Sequence, residues 1–311
     1  MQAEFQPPRL LRNPHLQSVL ASSRLRRYAL RSRSRLEHDA DVRELHCPGG
    51  ARLQGYMTRQ QALPESRGLV VLLHGWEGSA RSNYILDTGG ELLSRGFDVF
   101  RLNFRDHGDT HHLNPELFSS NRIEEVVEAV ALVQQQYAPR RLAVAGIRLD
   151  HAAAVCPVVS PAAGLAAIER GPWFYHHYFM LKWTASLKRK QQLFPDRYRF
   201  TPAELRSGIR ELTRILVERH TALGSLEAYL DSYSIAEDRL AALQVPASIL
   251  TAADDPVIPV EDFHRLQLPA QARLQIAGHG GHCGFFDGFG ARSHASRWVA
   301  DRVQQALGDE A

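Results

Sequence analysis

Gly68-Leu-Val-Val-Leu-Leu-His74 is the segment that most narrows what this chain can fold into. Its apolar residues run without alternation. A strand of that kind must be buried on both faces, as in a parallel sheet covered by helices above and below. Parallel neighbours need crossovers of a dozen or more residues, usually a helix. Ser82–Ser94 reads as such a helix, and Phe97–Phe104 as the next strand. Asn121–Tyr137 carries helical spacing through Ile123, Val126, Val127, Val130 and Val133. Arg141–Ile147 is another buried strand. Alternation of this kind predicts a doubly wound α/β fold. Upstream, Val42–Cys47 and Arg52–Met57 flank Pro48-Gly49-Gly50 and read as a hairpin. Ala152–Val159, Ala247–Ala253 and Arg273–Ala277 are further strands. Residues 165–243 are mostly helical, and Ala291–Ala306 is a closing helix.

Composition excludes several classes. At 311 residues, 44% hydrophobic and 23% charged, the chain is neither disordered nor a small disulfide scaffold. No apolar run approaches a membrane span, and no uninterrupted apolar stretch near the N-terminus suggests a secretory signal. Cys47, Cys156 and Cys283 form no CxxC pair. They predict neither a disulfide framework nor a zinc site, and fit a reducing cytoplasm. The net charge of +3 and the scattered arginines exclude a nucleic-acid footprint, which would be clustered. One asymmetry stands out. Between Glu4 and Glu37 there is no acid, yet there are Arg9, Arg12, Arg24, Arg26, Arg27, Arg31, Arg33 and Arg35. The bland reading is a solvated arm over residues 1–36, packed by Leu10, Leu11, Leu16, Val19 and Leu20. The alternative is weak contact with an anionic membrane surface, peripheral to an otherwise cytoplasmic protein. The run also superficially resembles an organelle transit peptide.

Ligands of open α/β sheets bind beyond strand C-termini, and three loops there carry chemistry. His74-Gly75-Trp76-Glu77-Gly78-Ser79 follows the buried strand. Its glycines let backbone N–H groups turn inward as an oxyanion hole, at Gly75 and Trp76. Asp254-Asp255-Pro256 follows the next-to-last strand. His279-Gly280-Gly281-His282-Cys283-Gly284-Phe285 follows the last. An acid and then a histidine, in that order, form the tail of a Ser…Asp…His hydrolase triad.

These residues resemble the α/β-hydrolase superfamily, in its YheT-like esterase branch, related to abhydrolase-domain lipases. The resemblance spans nearly the whole chain. It is carried by Arg12-Asn-Pro-His-Leu-Gln17, His74-Gly-Trp-Glu-Gly78, Asn103-Phe-Arg105, Asp254-Asp-Pro256 and His279-Gly-Gly-His-Cys-Gly-Phe285. The stretch Tyr175–Phe194 looks like that branch's cap. The resemblance implies a mostly parallel sheet flanked by helices in a domain over 37–311, with a helical cap inserted at about 161–236. It implies Asp255 as the triad acid with Asp254 as runner-up, His282 as general base and the Trp76 N–H as an oxyanion donor. Substrates would be carboxylic esters, short-chain or lipid, cleaved through an acyl-enzyme without a cofactor or metal.

One part of the pattern is missing. The family's nucleophile sits in a G-x-S-x-G elbow, where its hydroxyl is activated by the histidine. Here the sequence reads Gly146-Ile147-Arg148-Leu149-Asp150. Arg148 stands where the serine is expected, and arginine stays protonated. Asp150 falls two positions late for an aspartate nucleophile. Only Arg148, Leu149, Asp150 and His151 lie between two predicted strands, far short of a parallel crossover. A deletion of on the order of 20 residues accounts for this: the elbow, its helix and a return loop. The centre of the fold is then expected to be disrupted near 147–152. Strand 152–159 would lose its parallel place, turn back antiparallel or force repacking. Ser79, Ser160, Cys156 and Cys283 are weak substitutes as nucleophiles. Cys156 reads as a small buried residue, and neighbours such as His282 and Cys283 rarely point together.

Other features read blandly. Asp106-His107-Gly108-Asp109-Thr110-His111-His112 lies on a loop and lacks the spacing of a helical metal face. Trp173–Trp183, apolar all round, reads as buried helix, or as a cap wall for acyl chains. Lys188-Arg189-Lys190 reads as a solvated face. The sequence therefore predicts an α/β-hydrolase-fold descendant of a serine ester hydrolase with little or no such activity. A non-catalytic ligand- or partner-binding protein that keeps the pocket is the competing class. A damaged product with no function of its own is a third.

Overall fold

A computed structural model describes residues 5–31, 35–137, 149–288, 290 and 292–307. The predicted hairpin is present. β1 (Asp41–His46) pairs antiparallel with β2 (Arg52–Thr58) around a turn in which Gly50, at φ +87°, donates its N–H to Cys47 O. β3 (Leu69–Leu73) is the apolar strand and runs parallel to β4 (Asp98–Leu102). The first sheet has the order β1-β2-β4-β3, with β2 antiparallel to β4. The second sheet, β5-β6-β7, is parallel throughout and comprises Ala152–Val155, Ala247–Ala252 and Ala272–Ala277.

The expected strand Arg141–Ile147 and the Arg148 position lie outside the described residues. The strand expected over 152–159 stops at Val155, because Cys156 takes φ +46° and Pro157 lacks an N–H. It does not turn back antiparallel: Ala152 to Val155 register in parallel with Ala247 to Leu250. Its burial is shallow, with Ala152 exposed and its next three residues only partly buried.

Ten α-helices occur among the described residues, of which α1 (Pro14–Ala21) and α2 (Arg24–Arg31) come first. α3 (Asn83–Ser94) and α10 (His294–Leu307) pack together on one side of the sheets. Their core joins Leu86, Leu92, Trp298 and Ala300 to Val99 and Leu250. α4 (Ile123–Tyr137) lies against another core, where Ala129 and Val133 meet Leu53, Phe100 and Leu102. Between β5 and β6 stand α5 (Pro161–Arg170), α6 (Trp173–Leu193), α7 (Ile209–His220) and α8 (Leu226–Ser232). They share a third core, with Ile209, Leu212 and Leu226 against Ile249 and Phe263. The short α9 (Val260–His264) follows β6.

Two charged segments differ from their sequence reading. In the basic arm, Leu11 is buried but Leu10 is 73% exposed and Val19 54%. Leu11 and Leu20 do pack, with Ala21, on Phe286, and polar residues hold the arm as well: Gln17, Ser18 and Arg26 are all buried, and Arg26 pairs with buried Asp87 at 2.8 Å. Lys190 is no solvated residue either. Its Nζ is fully buried, 2.6 Å from Asp106, and donates to Asn114 O at 2.7 Å. A buried ammonium needs such partners, because unpaired burial of a charge is prohibitive. Lys190 thereby ties α6 to the loop after β4.

Candidate active site

The loop after β6 and the loop after β7 meet. Asp255, buried, accepts from Val257 N–H at 2.8 Å and Ile258 N–H at 3.0 Å. Its second oxygen lies 3.0 Å from His282 Nδ1. Burial works against the charged carboxylate, yet His282 and the two backbone donors outweigh it and lower the Asp255 pKa. On His282 burial opposes protonation, while Cys283 and Asp255 more than offset it and raise its pKa. Asp254, the runner-up, does different work. It accepts the Gly281 N–H at 2.9 Å and lies 3.3 Å from His279 Nδ1, so it braces the loop.

The N-terminal segment holds the same loop from its other side. Asn13 caps α1 by accepting from His15 N–H and Leu16 N–H, with Pro14 in the first helical position. One turn on, the Gln17 amide donates to Leu11 O and Phe286 O and accepts from Phe286 N–H. The Ser18 hydroxyl accepts the His282 N–H at 2.8 Å. The approach is close enough to dictate glycine. A Cβ on Gly281, at φ +53°, would lie 2.3 Å from Pro14 O. The Arg12–Gln17 motif is therefore a clamp on the histidine loop. Sequence reading missed Gln17 and Ser18 as site residues; the cap signature at Asn13-Pro14 was the available signal.

The loop after β3 lines the same cleft. Gly75, expected as an oxyanion donor, is already committed: its N–H donates to the Tyr84 hydroxyl at 2.9 Å. Trp76 N–H has no hydrogen-bond partner among the described residues. His74 is buried at the root of the loop. Its Nδ1–H donates to Gly75 O and its Nε2 accepts from Phe104 N–H, so the ring is neutral, and burial takes its pKa down to about 3. His107 repeats the device between Arg105 O and Glu77 N–H. His111 contacts Ser186 at 2.7 Å. Asp106 is taken by Lys190. The 106–112 loop is thus a scaffold.

The other serine candidates serve local structure. Ser79 Oγ accepts from Arg81 N–H, and Ser160 caps α5 through Ala163 N–H. The thiols are placed otherwise than the sequence suggested. Cys283, at φ +59°, turns its side chain to the same side as His282. Cys156 Sγ, Cys283 Sγ and a ring nitrogen of His282 lie within 4.8 Å of one another. A hydrogen bond with Cys156, together with His282 and against burial, lowers the Cys283 pKa to about 5. The cleft wall opposite is aromatic. Trp76 stacks on Phe179 at 5.3 Å and meets Trp183 edge-on.

No family model matches the chain. A search of characterised sequences finds the putative esterase YheT of Escherichia coli K12, 24% identical over 98% of this chain and 93% of its own. The chain is similar to YheT along nearly its whole length and has the α/β-hydrolase fold. Solved structures agree on its fold. The Pyrococcus furiosus esterase Pf2001 superposes with a TM-score of 0.52 at 14% identity, covering 99% of this chain and all of its own. A 2,6-dihydroxy-pseudo-oxynicotine hydrolase does so with 0.51 at 15% identity, over 86% and 68%. α5 to α8 stand between β5 and β6. Among the described residues no helix is long and apolar enough to cross a membrane.

Proposed function

We propose that this YheT-like chain keeps the pocket and the acid–base pair of a serine ester hydrolase, with Asp255 as orienting acid, His282 as base and Trp76 N–H as oxyanion donor, but has lost the serine nucleophile. The observation that carries the reading is the Asp255–His282 hydrogen bond in a chain with no G-x-S-x-G. In the related mechanism the histidine takes a proton from a serine hydroxyl that attacks the ester carbonyl. Here the neighbours of the His282 ring are thiols.

The length comparison supports the deletion. The alignment with YheT spans 328 positions, while 98% of 311 is about 305, so about 23 positions lack a counterpart in this chain. A loss of one elbow, one helix and a loop fits within that total. What remains is a binding apparatus. The aromatic wall of α6 with Trp76 suits an acyl chain or another apolar ester, and α5–α8 over 161–236 would act as its cap. Exposed Leu10, Leu25 and Tyr28 beside Arg9, Arg12 and Arg24 would add weak contact with an anionic lipid surface. A cytoplasmic location and the absence of a cofactor requirement belong to the same reading.

The test is hydrolysis of p-nitrophenyl acetate and butyrate, run beside labelling with a fluorophosphonate probe. The expected result is no covalent labelling, with at most the residual rate that truncated triads keep from binding and the oxyanion hole. Labelling that disappears in Ser79→Ala or Ser160→Ala would overturn the proposal.

A further inference from the structure

We propose that Cys156, His282 and Cys283 form a three-ligand site for a soft divalent cation, Zn2+ in the first place, opening on the cleft. Their ligand atoms converge from two loops separated by more than a hundred residues and lie within 4.8 Å of one another. In a tetrahedral zinc site, Zn–S near 2.3 Å sets neighbouring sulfurs about 3.7 Å apart, so closure needs a contraction of at most about 1 Å.

Three further features fit. Asp255 holds His282 Nδ1 at 3.0 Å, which leaves Nε2 to bind the ion. A carboxylate behind a ligand histidine fixes the ring and its tautomer, as outer-shell groups do at zinc sites. Both thiols stand on residues with left-handed backbone, Cys156 at φ +46° and Cys283 at φ +59°. Such conformations persist only where the surroundings enforce them, and here they turn both side chains to one point. Neither sulfur has a strong alternative partner: Cys156 Sγ lies 3.9 Å from Gly281 O and Cys283 Sγ 4.0 Å from Val155 O.

The chemistry selects the class. Two thiolates and an imidazole are soft to borderline donors, which favour zinc over magnesium or calcium. Two thiolates also neutralise a divalent ion, so the filled site carries no net charge into a half-buried place. Three protein ligands leave a fourth position, facing the cleft, for water or a ligand oxygen. Occupancy would also engage the lone pair His282 needs as a base. The inference does not rest on ester chemistry.

Metal-free, phosphine-reduced protein is titrated with Zn2+ in competition with a chromophoric chelator, and separately with Co2+. We expect one equivalent bound. Cobalt should give a thiolate charge-transfer band in the near ultraviolet with intense tetrahedral visible bands. Cys156→Ser and Cys283→Ser should each lose at least about 100-fold in affinity, and Asp255→Asn about 10- to 100-fold. Cys47→Ser, in the hairpin core, should bind like the wild type. No stoichiometric binding by the wild type overturns the proposal, whether or not any variant folds. So does binding retained in the Cys156→Ser/Cys283→Ser pair, or a cobalt complex without the charge-transfer band. The fluorophosphonate result is independent of all of these.

Discussion

The Ser18 hydroxyl receives the backbone N–H of His282 across 264 residues of sequence, at 2.8 Å. With Gln17, it makes the N-terminal helix part of the histidine loop. Gln17 is fully buried and satisfies three backbone groups, two on Phe286 and one on Leu11. Gln17→Ala should leave those groups unpaired and lower stability by about 2–4 kcal/mol. Ser18→Ala should cost about 1 kcal/mol. Urea unfolding checks both, and amide exchange at His282 and Phe286 should quicken in each variant. A Gln17→Ala protein as stable as the parent would remove the clamp from the account.

Lys190 and Asp106 form a buried pair. Lys190→Met should destabilise by about 3–5 kcal/mol, because it strands the carboxylate and frees two loop carbonyls. Adding Asp106→Asn should restore part of the loss. The double-mutant cycle on thermal unfolding measures the coupling, and strictly additive effects would contradict it.

Glu77 supplies a pH signature. Burial raises its pKa to about 7; Lys182 opposes the shift and Asp106 adds to it. Its backbone N–H is held by His107. A carboxyl raised in the folded state binds protons more tightly there than when unfolded. Its effect is therefore absent below about pH 4.5 and grows as a loss of stability as pH rises toward 7. Glu77→Gln should be more stable than the parent at pH 8 by about 1–2 kcal/mol, allowing for solvent screening of a partly exposed group. The two should converge near pH 4. A difference that stayed constant across that range would rule the linkage out.

The proposed deletion predicts instability. β3 and β5 have partly open faces: Leu73 is 43% exposed, Ala152 is exposed, and Ala153 to Val155 are only half-buried. Restoring an elbow and helix of about 20 residues between Gly146 and Ala152 should raise the melting temperature by several degrees through added apolar burial. Equal melting temperatures for the two chains would sink the claim.

The sequence made Leu69–Leu73 legible as a strand, because an unbroken apolar run has few other uses, although the two-sided burial expected of it is not reached: Leu72 is buried, Leu69 to Val71 are half-buried and Leu73 is exposed. Asp255 and His282 were legible from order and position after strands. Lys190 was not, since a Lys-Arg-Lys run on a helix looks solvated until its partner, Asp106, comes in from 84 residues away. Gln17 and Ser18 were hidden within a basic arm whose apolar residues drew the eye, although its polar residues are buried alongside Leu11 and Ala21. Cys283 defeated a reading based on sequence adjacency. In a turn with left-handed residues, neighbours can point together.

The clamp on the histidine loop also sets an order of events. A contact spanning 264 residues closes a very long loop, and such contacts are made late and form slowly. During synthesis the helix bearing Gln17 and Ser18 leaves the ribosome before the histidine loop and waits, its buried polar groups facing water, for a partner translated 264 residues later. The Asp255–His282 pair should then take up its final geometry only when these two segments meet. Removing residues 1–20 should disturb the chemistry of a histidine encoded 264 residues after Ser18.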